Sequence, residues 1–313
     1  MLGFIVKRVF AAIPVLFMVA IIVFLMLRLS PGDPAIMIAG SNATAEQLTA
    51  LRESMGLNKP LLQQLEIWLG AVLTGDFGVS LVSGQPVTRL VMDRFMPTLA
   101  LSLSTIALAV VVAIPVGVIA AWRQGRWPDR LVMAGSVLGF SVPVFIIGYV
   151  LILIFARLLN WLPVQGYQAP ENGFHGFAIR LILPTVTLSL PYIALIARIV
   201  RTNVIEVMNE DYIRTARAKG LTEAGVLIGH ALGNAAVPII TIIGVSIAML
   251  IGGVVVTESV FNIPGLGRLV LEAVLARDYT VIQALILLFS AIYVLVNLAV
   301  DLLYGLFDPR IRY

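Results

Sequence analysis

NEDYIRTARAKGLTEAGVLIGHALGNAAVP, residues 209–238, is the longest polar interruption in the second half of an otherwise apolar chain. Asn209 suits a helix N-cap, which places Glu210 and Asp211 in the first turn, where negative charge opposes the positive end of the helix dipole. Arg214 and Arg217 follow three apart on one face, with Lys219 near the end. Gly220 tolerates the left-handed backbone that stops a helix. Thr222 is placed to cap a second helix, Glu223 to Leu232, and Gly233-Asn234 ends it. The spacing predicts two short helices joined at a glycine elbow, set between two membrane-length apolar runs. Read from charge alone, the stretch is equally a solvated basic loop.

Composition sets the class. The chain has 313 residues, 60% hydrophobic and 12% charged, with mean hydropathy +1.01. A soluble domain carries about 25% charged residues, so this is the composition of a membrane protein. Net charge is +4 and the pI about 9.6; in a membrane protein that excess belongs on cytoplasmic loops and does not call for nucleic acid. There is no cysteine, so disulfides and thiolate metal sites are unavailable, and His175 and His230 lie too far apart in sequence to suggest a zinc site.

Six segments reach the roughly 20 apolar residues that a bilayer span needs: 9–29, 98–122, 131–157, 180–200, 235–256 and 279–303. Lys7 and Arg8 precede the first, which reads as a signal anchor with its N-terminus inside. A cleaved signal peptide is the alternative, but the apolar run is long and SPGDP is no small-residue cleavage site. Residues 30–97 form a long outer region. It opens with the SPGDP turn, then carries a capping box at Thr44–Gln47 ahead of a helix with Leu48, Leu51 and Met55 on one face. A second amphipathic helix from Pro60 aligns Leu61, Leu65, Trp68, Leu69 and Val72. Asn42-Ala43-Thr44 matches a glycosylation acceptor by chance. Residues 201–234 form the long inner loop already quoted.

Charge supports this orientation. With both termini inside, the inner segments hold 12 basic residues against 7 acidic, and the outer ones the remaining 9 against 10. The short loop with Arg123, Arg126 and Arg130 is the sharpest case. No ionisable residue lies central to any span, where a gradient-driven transporter keeps its coupling-ion site, and no GxxxxGK[ST] phosphate loop is present. Energy for any transport is therefore expected from a partner. Pro14, Pro115, Pro143, Pro184 and Pro191 fall within spans, and Ser141-Val-Pro143 is the best candidate for a functional kink. Gly135/Gly139 and Gly252-Gly253 read as close helix packing. His230 reads as an ordinary helix residue, with a pH sensor the remote alternative.

Several stretches carry a resemblance. DYIRTARAKGL…HAL.NA..P is similar to the EAA loop of ABC-importer permeases in its dipeptide/oligopeptide/nickel subfamily form. Arg214-Thr215-Ala216 occupy the Glu-Ala-Ala place and Gly220 the following glycine; Arg and Thr for the first two positions, and the late Val237-Pro238, depart from the general motif in the manner of the peptide subfamily. TE.VF..PGLGR at Thr257–Arg268, RDY..(I/V)Q at Arg277–Gln283, SPGDP, GDFG.S at Gly75–Ser80, R(F)MPTL at Arg94–Leu99 and VDLLYG…DPRIRY at the C-terminus extend the resemblance over essentially the whole chain.

The resemblance implies an all-α permease of the type I ABC-importer fold, with six transmembrane helices and both termini cytoplasmic, in the inner membrane. It implies that Tyr212, Arg214, Thr215, Ala216, Arg217, Lys219 and Gly220 form a coupling helix docking on a cytoplasmic ATPase subunit, and that Pro264, Gly265, Gly267 and Arg268 shape a periplasmic loop. It further implies a second permease subunit, two ATPase subunits and an external substrate-binding protein. No cofactor, metal or covalent chemistry is expected of this chain. The family resembled takes in dipeptides, oligopeptides, glutathione and nickel chelates. A secondary transporter or channel acting alone, and a purely structural scaffold, are the rival readings.

Overall fold

The computed structural model describes residues 2–29, 44–54 and 56–307. The SPGDP turn, Asn42 and the terminal DPRIRY lie outside the described residues. The described chain is helical, its extended pairing limited to one isolated bridge between Val79 and Pro86.

The helices are α1 (Leu2–Leu29), α2 (Ala45–Ser54), α3 (Leu61–Leu73), α4 (Val87–Trp122), α5 (Trp127–Ser141), α6 (Val144–Leu158), α7 (Phe174–Met208) and α8 (Asp211–Ala218). Three consecutive pieces, Glu223–Gly225, Val226–Ala231 and Leu232–Asn234, make up α9. Then follow α10 (Ala236–Val260), α11 (Leu266–Leu275) and α12 (Tyr279–Phe307). Helices α1, α4, α7, α10 and α12 are long and apolar enough to cross a membrane. The sixth candidate is a pair: α5 and α6 together qualify but bend by 103° at their junction.

That bend lies within the 131–157 segment, at the kink candidate the sequence offered. It falls at Ser141-Val142-Pro143. Pro143 has no N–H to bond back along α5, and it begins α6 as its N-cap residue. The Ser141 hydroxyl turns back to the Val137 carbonyl, 2.9 Å, and Val142 N–H closes α5 on Leu138 O, 3.2 Å. The last seven residues of α6, Ile152–Leu158, widen to π geometry, as do Val226–Ala231 of α9.

Two compact units divide the chain. The first comprises Pro97–Arg268 with short terminal pieces, and α7 is its axis: α5, α6 and α10 all pack on it. Leu188, Ile196, Ala197, Val200 and Val204 of α7 are buried in a core shared with Leu101, Ala109 and Ala113 of α4 and Ile239, Leu250 and Val254 of α10. Small residues permit the closest approaches. A Cβ on Gly117 would lie 2.7 Å from the Ala197 carbonyl, one on Gly139 2.9 Å from Ala194 Cβ, and one on Gly253 2.8 Å from Leu188. Gly135 and Gly252 meet no such neighbour, so only half of the expected packing glycines make a contact.

The second unit comprises Val6–Met96 and Leu269–Val294. Thr44 and Gln47 exchange reciprocal bonds, 3.0 and 3.3 Å, the capping box read in the sequence. The α3 stripe places Trp68 5.6 Å from the Phe24 ring of α1, while Leu61 of that stripe is exposed. Gln64 is the buried residue of α3. It accepts from Arg28 and donates to the carbonyls of Leu57 and Lys59, tying the 56–60 turn to α1. Asp278 accepts from the hydroxyl of Ser80 and from Leu81 N–H, and so holds the 75–86 loop at the start of α12.

Candidate functional site

The elbow of residues 209–223 is built around two buried side chains. Ile213 and Ala216 sit on the inner face of α8, three apart, and pack with Val226 of α9 beside Val207 and Met208 at the end of α7. Burying Ile213 contributes about 2 kcal/mol to holding so short a helix, which at eight residues would not persist alone. The other face is exposed: Tyr212, Arg214, Thr215, Arg217 and Lys219 all reach solvent. Burial, then Glu210 nearby, pushes the Tyr212 phenol above its ordinary range, so it stays neutral.

The first cap differs from the expected one. Asn209 ends α7, its amide donating to Ile205 O at 3.0 Å, and Glu210 is the N-cap of α8. The reason is that α7 continues helically through the polar residues 201–208. Gly220 has φ +83°, a conformation that costs residues bearing a Cβ roughly 1–2 kcal/mol. Thr222 caps α9, accepting from Gly225 N–H at 3.2 Å. Across the glycine, Arg217 donates twice to Glu223, Nε to Oε1 at 2.9 Å and Nη2 to Oε2 at 3.3 Å. His230 is half-buried in the π segment, and its carbonyl accepts from Asn234.

Residues 123–130 lie beside this elbow. Asp129, buried at the start of α5, accepts two bonds from Arg201 of α7 and one, 2.8 Å, from Gly125 N–H. Sequence reasoning counted the arginines here and missed Asp129. Its signal was being the lone acid between Arg123 and Arg130. Between loop and elbow opens a cavity of about 570 Å³ whose walls include Trp122, Arg123, Arg126, Asn209, Arg217 and Glu223.

At the opposite end of α10 the 257–268 segment folds over a buried carboxylate. Glu258 accepts from the Thr98 hydroxyl and from Arg268 N–H at 2.9 Å, and its carbonyl accepts from Ile263 N–H at 2.8 Å. Thr98 in turn receives Leu266 N–H at 2.7 Å. A Cβ on Gly265 would overlap the Glu258 carboxylate, and one on Gly267 would lie 2.7 Å from the Val255 backbone. Pro264 starts this tight run and the Arg268 side chain closes it on Asn262. The sequence pattern marked the loop but assigned Glu258 no task.

The family described as "Binding-protein-dependent transport system inner membrane component" matches residues 113–313, and its N-terminal companion family matches residues 1–104. The chain belongs to this family. It is a multi-pass inner-membrane permease subunit of an ABC importer, which sets aside the lone secondary transporter. A "Probable peptide ABC transporter permease protein y4tP" of Sinorhizobium fredii is 53% identical over 99% of both chains. The "Glutathione transport system permease protein GsiC" of Escherichia coli K12 is 44% identical over 100% of both. Among solved structures, the inward-facing MetNI methionine ABC transporter matches with TM-score 0.58 at 20% identity, covering 70% of this permease and 96% of that chain. That likeness establishes the fold: all-α, of the ABC-importer permease type.

Proposed function

We propose that this permease forms half of a translocation pathway for di- or oligopeptides, or a related small solute such as glutathione or a nickel chelate. A second permease subunit completes the pathway, an external binding protein delivers the solute, and two cytoplasmic ATPase subunits supply the energy. The peptide and glutathione names of the full-length relatives support the solute class. The chain itself performs no covalent chemistry in this reading.

Contacts within the first unit support a topology. The 123–126 loop and the elbow wall one cavity, and Asp129 pairs with Arg201 on α7, which favours one side for all three. Thr98, Glu258, and the Gly166 N–H bonded to Phe261 O at 2.9 Å mark the other side. In this reading the chain leaves the first side through α5–α6 and returns through α7, the bent pair counting as a single crossing. Six crossings would leave both termini on the elbow's side, and the arginine-rich loop supports a cytoplasmic placement of that side.

The observation that carries the mechanism is the two-faced elbow. Its inner face is anchored to the end of α7, the most buried of the spans, while its outer face, Tyr212 through Lys219, is exposed for docking. Closure of an ATPase dimer would move α8 as a rigid lever on Gly220 and pass the motion to α7 and α10. The test is ATP-driven solute uptake by Gly220→Val in the assembled transporter. Uptake should fall while ATP hydrolysis persists. Uptake at the level of the unaltered protein would refute the lever.

A further inference from the structure

We propose that the cavity walled by Arg123, Arg126 and Arg217 binds the phosphate headgroup of an acidic phospholipid from the inner leaflet. The inference rests on the orientation argued above. Among the described residues neither Arg123 nor Arg126 has an acidic partner. Every other wall charge is spoken for, since Arg217 is held by Glu223. The cavity therefore carries two uncompensated guanidinium groups in about 570 Å³, a volume within the usual range for a small-molecule site. Guanidinium forks suit phosphate oxygens.

The remaining walls point to an amphipathic anion. Ala121, Ile205 and Met208 supply an apolar side. Trp122 is half exposed, with the Arg123 guanidinium stacked over its ring at 4.8 Å, and Trp127 close by is more exposed still. Exposed tryptophans settle at the headgroup level of a bilayer. A basic, mainly polar pocket between helix ends on the cytoplasmic side, with one apolar wall and the Trp122 indole beside it, matches a headgroup with its glycerol. A wholly polar ligand would leave the apolar wall without a use. The occupied site would brace the 123–126 loop against the elbow.

The test uses the intact transporter in nanodiscs of phosphatidylcholine containing a minor fraction of phosphatidylglycerol, with retained lipid counted by native mass spectrometry after mild detergent extraction. The wild-type permease should retain phosphatidylglycerol in preference to phosphatidylcholine, and R123A/R126A should bind it roughly thirtyfold more weakly, each basic residue near the surface contributing about a factor of five. R123K/R126K should keep most of the preference. Equal retention of the two lipids by the wild type overturns the proposal even if the alanine variant fails to fold. Complete displacement of phosphatidylglycerol by millimolar inorganic phosphate overturns it too, as a plain phosphate site. So does protection of both arginines by an ATPase subunit in place of lipid. Normal ATP-driven uptake alongside any of these results leaves the proposed function standing.

Discussion

Arg217 and Glu223 grip each other across Gly220, with two bonds of 2.9 and 3.3 Å spanning a residue at φ +83°. The glycine lets the chain turn at the elbow, and the ion pair links α8 to the start of α9. Both side chains are partly exposed, 38% and 49%, so the pair contributes at most about 1 kcal/mol to stability. Its value is geometric.

Glu223→Gln should therefore leave thermal stability in detergent nearly unchanged and lower solute uptake per ATP hydrolysed. Parallel melting curves and coupled transport assays in proteoliposomes measure the two effects separately. A large fall in melting temperature would show that the pair is structural.

Gly220→Ala meets no neighbour, since nothing lies within 4 Å of its added methyl group. The cost is purely backbone, about 1–2 kcal/mol. Membrane insertion should survive, with Gly220→Asn milder than Gly220→Val because asparagine tolerates the left-handed region. Expression level and uptake for the three variants provide the ranking.

Asp129→Ala removes three bonds from a buried carboxylate and strands Arg201 at 19% side-chain exposure. A loss of about 3 kcal/mol is expected, larger than for any single residue of the exposed elbow face. Arg201→Ala should cost a similar amount, and the double variant much less than their sum. Thermal denaturation of the three proteins tests this.

Gly265→Ala should destabilise the 257–268 loop by about 2 kcal/mol or more, because its methyl group would displace the Glu258 carboxylate from buried partners. Protease sensitivity of that loop should rise, with the elbow unaffected.

Much of the chain was legible from residues. The capping box at Thr44–Gln47, the stop at Gly220 and the cap at Thr222 follow local rules that tertiary contacts left alone. The helix ends were less legible. The polar residues 201–208 read as loop, yet they continue α7, because Arg201 finds Asp129 and Val204 is buried. Val87–Met96 likewise extend α4 through Pro97, a proline that polarity alone would make a boundary. At Ser141-Val-Pro143 the sequence signalled a kink but carried no angle. The π segments left no local signature. In the site, Asp129 and Glu258 were missed because each matters through partners far away in sequence: Arg201 is 72 residues from Asp129, and Thr98 is 160 from Glu258.

The docking of the elbow's exposed face on an ATPase subunit is the central claim, and the cysteine-free chain offers a clean background for it. Single cysteines at Thr215 and Lys219, treated in membranes with a short bifunctional crosslinker, measure it directly. The account predicts adducts with a nucleotide-hydrolysing subunit whose yield changes on adding ATP. Labelling of these positions from outside the cell, or an absence of any such adduct, would contradict it.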